Sequence, residues 1–139
     1  MHDKILAAHL PSVMALAYLG DARHSLYVRD MLVREGLSKS RDLNRESLEY
    51  VTAPRQAEAF RRIEDMLEPD ERDVYRRAAN STHLNRPKSA TGQDYRSATG
   101  FEAVIGMLYY LGDEERIKEL LSAAYAEESV KGVDNDTEN

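Results

Sequence analysis

Two segments of this chain are too apolar to belong on a surface, and each is interrupted by one carboxylate. From Pro11 through Gly20 there is no charge, and Val13, Leu16, Ala17 and Leu19 make a helix there apolar nearly all round, as in a buried helix. Asp21 follows at once. In the second segment Glu102 is the only ionisable group between Arg96 and Tyr109. A lone carboxylate in an apolar interior is costly unless it is paired or bound to a metal. Gly20 directly precedes Asp21, and Gly100 and Gly106 flank Glu102. Missing side chains at these places are expected to let two helices approach and bring the acids to one point.

The remaining pattern is helical throughout. Strand-like alternation and Asn-Gly hairpin dipeptides are absent, and glycine is scarce at seven residues. A first helix is expected from about Ser12 to Arg34, with Gly36 just past its end. An amphipathic segment surrounds Leu43, Leu48 and Val51, entered through Ser38-Lys39-Ser40. Thr52-Ala53-Pro54 reads as a cap with first-turn proline, opening a helix through Ala59, Phe60, Ile63 and Leu67. Pro69-Asp70-Glu71 opens another, with Arg76 and Arg77 near its end as the helix dipole prefers. Asn80 to Asp94 reads as a loop. Helix resumes near Tyr95 to about Leu111, and a last one runs from Gly112-Asp113 through Ile117, Leu120, Leu121 and Tyr125. The expectation is a single all-α domain over residues 1–126, with an acidic, disordered tail at 127–139.

Composition sets limits on chemistry and compartment. A chain of 139 residues can bury a real core, and the absence of Cys excludes disulfides, thiolate metal sites and cysteine nucleophiles. The longest apolar run, Ala103 to Leu111, is far short of a membrane span, and no signal peptide is evident, so a cytoplasmic location is expected. Net charge is −6, but residues 127–139 hold five acids against one lysine. Between Arg72 and Arg96 six Arg or Lys stand against Asp73 and Asp94, a basic stretch able to meet a polyanion.

Two readings of Asp21 and Glu102 stay open on residues alone. One is a pair of buried salt bridges, to Arg23, Arg29 or Arg96. The other is a hard-cation site, because Mg²⁺ commonly uses one or two protein carboxylates, with waters and a phosphate substrate completing its shell. A competing enzyme class, an all-α nucleoside triphosphate pyrophosphohydrolase, would use carboxylates one helical turn apart, and Glu46/Glu49 and Glu68/Glu71 have that spacing. A third possibility is a non-catalytic all-α protein that binds RNA or assists ribosome assembly.

The segment Leu16-Ala17-Tyr18-Leu19-Gly20-Asp21-Ala22, followed by Leu26-Tyr27-Val28-Arg29, resembles the signature helix of the ribonuclease III family. Tyr95-Arg96-Ser97-Ala98-Thr99-Gly100-Phe101-Glu102-Ala103-Val104-Ile105-Gly106 is similar to that family's second catalytic helix. The loop from Asn80 through Pro87-Lys88, with Tyr95-Arg96 following, matches the small Mini-ribonuclease III group, which lacks a double-stranded-RNA-binding domain. The resemblance covers about residues 10–125. It implies the all-α ribonuclease III endonuclease fold and a homodimeric, Mg²⁺-dependent endonuclease that cuts double-stranded RNA and leaves 5′ phosphates. It implies Asp21 and Glu102 as the catalytic, metal-holding carboxylates, Mn²⁺ as a possible substitute, and maturation of the 23S ribosomal RNA precursor as the role. Full-length ribonuclease III carries further acids where this chain has Met14, Ala17 and Thr99, a loss the Mini group shares. Within that group an acid is expected at Ser25, aliphatic and aromatic residues at Arg23 and His24, and a further Arg near Ala78-Ala79.

Asn80, Thr82, His83, Asn85, Arg86 and Lys88 offer donors suited to phosphates and 2′-hydroxyls, although a solvated loop has the same composition. Tyr18 and Tyr95 read as core residues with satisfied hydroxyls. Phe60, Met66, Tyr109, Tyr110 and Leu111 exceed what a small core needs, which suggests an apolar dimer interface.

Overall fold

A computed structural model describes residues 9–81 and 92–126. Six α-helices follow in chain order: α1 Val13–Arg34, α2 Ser40–Val51, α3 Ala53–Arg61, α4 Pro69–Asn80, α5 Gly92–Tyr110 and α6 Glu114–Ala124, with a 3₁₀ turn at Glu64–Met66 between α3 and α4. No strand occurs among the described residues. The all-α expectation holds.

The ends of the helices follow local chemistry. Ser12 caps α1, its hydroxyl accepting from the Ala15 N–H at 3.1 Å, and Gly36 takes the left-handed φ of +103° just beyond the other end. Pro54 occupies the first turn of α3, but that helix stops at Arg61, so Ile63 and Leu67 enter the core from the turn that follows. At α4 the Glu68 carboxylate accepts from the N–H of Glu71 while the Glu71 side chain accepts from the N–H of Glu68, a reciprocal capping box. Asn80 is the last residue of α4, and α5 begins at Gly92, so the expected 80–94 loop is shorter at both ends. The tail at 127–139 lies outside the described residues.

Helix α5 is the axis of the molecule, packed against α1, α3 and α4. Every residue from Ser97 to Leu108 is buried except Glu102. Phe101 meets Phe60, which stacks on Tyr75 with ring planes parallel and centroids 4.2 Å apart. Phe60 is therefore core and not interface. Glu71, 1% exposed, is held by Arg116 through Oε1 and Oε2 at 2.8 and 2.9 Å, joining α4 to α6. The other expected apolar surpluses divide: Met66 and Leu111 lie against the core, while Tyr109 and Tyr110 are exposed.

The outer half of α1 departs from the expectation of a helix buried all round. Leu16, Ala17, Gly20, His24, Val28 and Leu32 face inward, and Met14, Tyr18, Leu26 and Val33 face out. His24 packs between Phe101 and Tyr125, with Nε2 2.6 Å from the Tyr125 hydroxyl. Burial, reinforced by the Arg23 charge, lowers its pKa from 6.5 to about 4. Below pH 6.5 the unfolded chain takes up a proton that the folded chain refuses until about pH 4, so this stabilisation is full above pH 6.5 and is lost as the pH falls. Urea denaturation of the native chain and of His24→Phe should show their stability difference shifting against the native chain by on the order of 2 kcal/mol between pH 7 and pH 4. A pH-independent difference would mean that the imidazole is not held neutral.

Candidate active site

The site begins with a backbone contact. A Cβ on Gly20 of α1 would run into the carbonyl of Glu102 on α5, and a Cβ on Gly106 would run into the carbonyl of Leu16 on α1. The two helices touch through reciprocal glycines, and no side chain separates them. Gly100 serves a different neighbour, since its bare face receives the Tyr75 ring from α4. Asp21 and Glu102 thus stand at a helix crossing where backbone meets backbone.

Their side chains open into one cleft of about 420 Å³, lined also by Met14, Ala17, Tyr18, Tyr95 and Thr99. Asp21 is exposed at the lip and Glu102 is partly buried on the core side. Burial raises the Glu102 pKa from 4.5 to about 8, helped by the charge and hydrogen bond of Asp21 and opposed by a hydrogen bond from Gln56. The two acids therefore meet directly.

The alternative of structural salt bridges is not what the chain does. Arg23 binds Glu114 on α6, with Nη2 2.8 Å from Oε1, and Arg96 bonds Gln93 at 3.2 Å. Among the described residues no basic side chain bonds either site acid. The Glu68/Glu71 pair is equally committed, to the α4 cap and to Arg116. Tyr18, expected in the core, is 85% exposed at the cleft mouth.

Gln56 of α3 is not among the residues that the sequence singles out. Its Nε2 donates to Glu102 Oε2 at 3.2 Å and to the Val51 carbonyl at 3.0 Å. The signal was its register: Gln56, Ala59, Phe60 and Ile63 follow the i, i+3, i+4, i+7 spacing of a buried stripe, where an amide needs partners. Of the residues expected to meet RNA, Asn80 closes α4 and is exposed, whereas Thr82, His83, Asn85, Arg86 and Lys88 lie outside the described residues.

The donor set fits a hard divalent cation. Two carboxylates converge without a counter-charge among the described residues, one of them disfavoured as an anion by burial and by its neighbour, and a cation between them relieves both costs. No cluster of three or more metal-binding side chains exists among the described residues, so the remaining ligand positions of such an ion fall to water or substrate.

The Ribonuclease III domain family matches residues 14–113, a span that contains both acids and the glycine crossing. The chain belongs to the ribonuclease III family. A Mini-ribonuclease 3 from Thermoanaerobacter sp. is 43% identical over 79% of this chain and 78% of its own length. One from Symbiobacterium thermophilum is 42% identical over 80% and 85% respectively. A crystal structure of a Fusobacterium nucleatum protein superposes with a TM-score of 0.77 at 32% identity, covering 84% of this chain and 93% of that one. These likenesses place the chain in the Mini-ribonuclease 3 branch of the family, the group that the Asn80–Lys88 segment followed by Tyr95-Arg96 resembles.

Because the crossing sets the carboxylates, a methyl group in it should disturb fold and site together. Gly106→Ala is expected to lose about 1–3 kcal/mol in urea denaturation, the usual cost of overpacking. Native stability in that variant would show that the helices can separate freely, and the crossing would not be the constraint described.

Proposed function

We propose that this endoribonuclease cuts double-stranded RNA with the help of Mg²⁺ held by Asp21 and Glu102. The observation that carries the reading is the meeting of these two carboxylates, without a counter-charge among the described residues, in one cleft of a ribonuclease III-family fold. Bound there, Mg²⁺ lowers the pKa of an attacking water and steadies charge on the leaving 3′ oxygen, so products carry 5′ phosphates. Mn²⁺ suits the same oxygen ligands. Asp21, exposed, and Glu102, partly buried, would be the two carboxylates that hold such an ion. Among the described residues the cleft with Tyr18 and Tyr95 in its lining is open rather than enclosed, which suits a polymer better than a free nucleotide.

Asn80 and Gly92 end and begin helices that pack on each other, and we assign RNA contacts to Asn80, Thr82, His83, Asn85, Arg86 and Lys88 on their residue types. Their donors suit phosphates and 2′-hydroxyls of an A-form duplex. The proposed natural substrate is the 23S ribosomal RNA precursor and the proposed compartment the cytoplasm, in keeping with the absence, among the described residues, of a helix long and apolar enough to cross a membrane.

Two copies fit the task, because a duplex offers two strands related by a local twofold axis. The outer face of α1 supports a homodimer: Leu26 is 58% exposed, and it lines a shallow groove of about 170 Å³ with Leu19, Ala22, Arg23 and Tyr109. In sedimentation velocity the native chain should run at about twice 15.8 kDa, and Leu26→Asp should run as the monomer. A native monomer at micromolar concentration would remove the dimer from the proposal.

Cleavage of a long double-stranded RNA at low salt tests the chemistry. The native chain should cut with Mg²⁺ and stop with EDTA, and Asp21→Asn and Glu102→Gln should each lose at least a hundredfold in rate while staying folded by circular dichroism. RNA binding without cleavage would favour a non-catalytic assembly role. Full activity in Asp21→Asn would falsify the site.

A further inference from the structure

Glu102 is held by a side chain to which the proposed reaction gives no task. Gln56 is 2% exposed, near the start of α3, and its amide nitrogen bridges Glu102 Oε2 and the Val51 carbonyl at the end of α2. The Val51 carbonyl can only accept, so the NH₂ group, and not the amide oxygen, must face it. The same NH₂ then faces Glu102, and the carboxylate oxygen it meets is an acceptor. This bond fixes the carboxylate without neutralising it and links it to the α2–α3 junction.

The amide is poorly served in return. Its Oε1 is buried and has no hydrogen-bond partner among the described residues. An orphaned buried acceptor destabilises a fold, whereas an apolar side chain of similar volume at that place would not. Stability alone therefore does not account for a glutamine here.

We infer that Gln56 is a positioning residue of the cation site, aiming the Glu102 carboxylate at the ion by tying it to Val51. This rests on the reading of Asp21 and Glu102 as cation ligands. The outer-shell hydrogen bond substitutes for packing, since Glu102 is the one position between Ser97 and Leu108 that the core does not enclose. Loss of outer-shell partners of this kind weakens metal binding by about 10–100-fold.

The test uses the full chain and Mn²⁺ alone, without RNA, followed by electron paramagnetic resonance, and then a Mg²⁺ titration of double-stranded-RNA cleavage. Gln56→Met keeps the volume and removes the donor. It should bind Mn²⁺ about tenfold more weakly and need correspondingly more Mg²⁺ for half-maximal cleavage. Gln56→Asn keeps an amide too short to span both acceptors and should show the same shift, and it decides the matter if Gln56→Met does not fold. A purely structural role would lower the thermal midpoint and leave Mn²⁺ affinity unchanged, and that result overturns the inference while the cation site stands. Failure of the native chain to bind Mn²⁺ or to cleave overturns the cation site and the inference with it.

Discussion

The reciprocal glycine contact between α1 and α5 is the constraint on which the rest of the structure depends. Gly20 faces the carbonyl of Glu102 and Gly106 faces the carbonyl of Leu16, so backbone meets backbone where a core ordinarily interposes two layers of side chains. Helix α5 can then be surrounded by α1, α3 and α4 and still leave one edge of the α1 crossing open to solvent. That edge is the cleft. Asp21 follows Gly20 directly, and Glu102 presents the very carbonyl that Gly20 accommodates, so the spacing of the acids is set by main-chain contact and not by flexible side chains. A site that must hold an ion at fixed oxygen distances benefits from placement on rigid elements.

Electrostatics sharpens the same place by pairing acids elsewhere. Glu71 is held by Arg116, Glu114 by Arg23, Asp30 by Arg34 and Asp73 by Arg76 and Arg77. Most of these pairs sit at the surface, where each contributes little to stability, and Glu71–Arg116 is the buried exception. Their consequence for function is that the basic groups nearest the core are engaged, and none reaches Asp21 or Glu102. A chain with 25 acids thus shows one converging carboxylate pair without a counter-charge among its described residues.

Much of this was legible in the sequence, and the parts that were not have physical reasons. The caps and breakers Ser12, Gly36, Pro54, Pro69 and Asp113 act within one turn of themselves, so helix order and approximate ends follow from local chemistry. The acids beside glycines in apolar helices were legible because carboxylate and glycine are each unfavourable there. Tyr18 was misplaced because an apolar helix read without partners has no preferred face: the composition of α1 cannot say that Leu16 turns in and Tyr18 out. The Glu68/Glu71 spacing suits a metal pair and a capping box equally, and only the arrival of Arg116 from another helix decides between them. The register of Gln56 marks it as buried, but its partners are illegible for the same reason, its two acceptors lying on α2 and α5.

Several of the residues that break local rules share one place, although Asp70, Tyr109 and Tyr110 break them elsewhere. A like-charged pair, a buried amide with an orphaned oxygen and an aromatic ring left in water all gather around the one crossing. Each is unfavourable for folding taken alone, and a chain selected only for stability would place apolar side chains at Glu102 and Gln56 and a polar one at Tyr18. Their convergence says that the core of α3, α4, α5 and α6 supplies surplus stability which the cleft consumes. The division is spatial: the apolar side of α5 packs the core, and Glu102, the one position between Ser97 and Leu108 that the core does not enclose, faces the cleft.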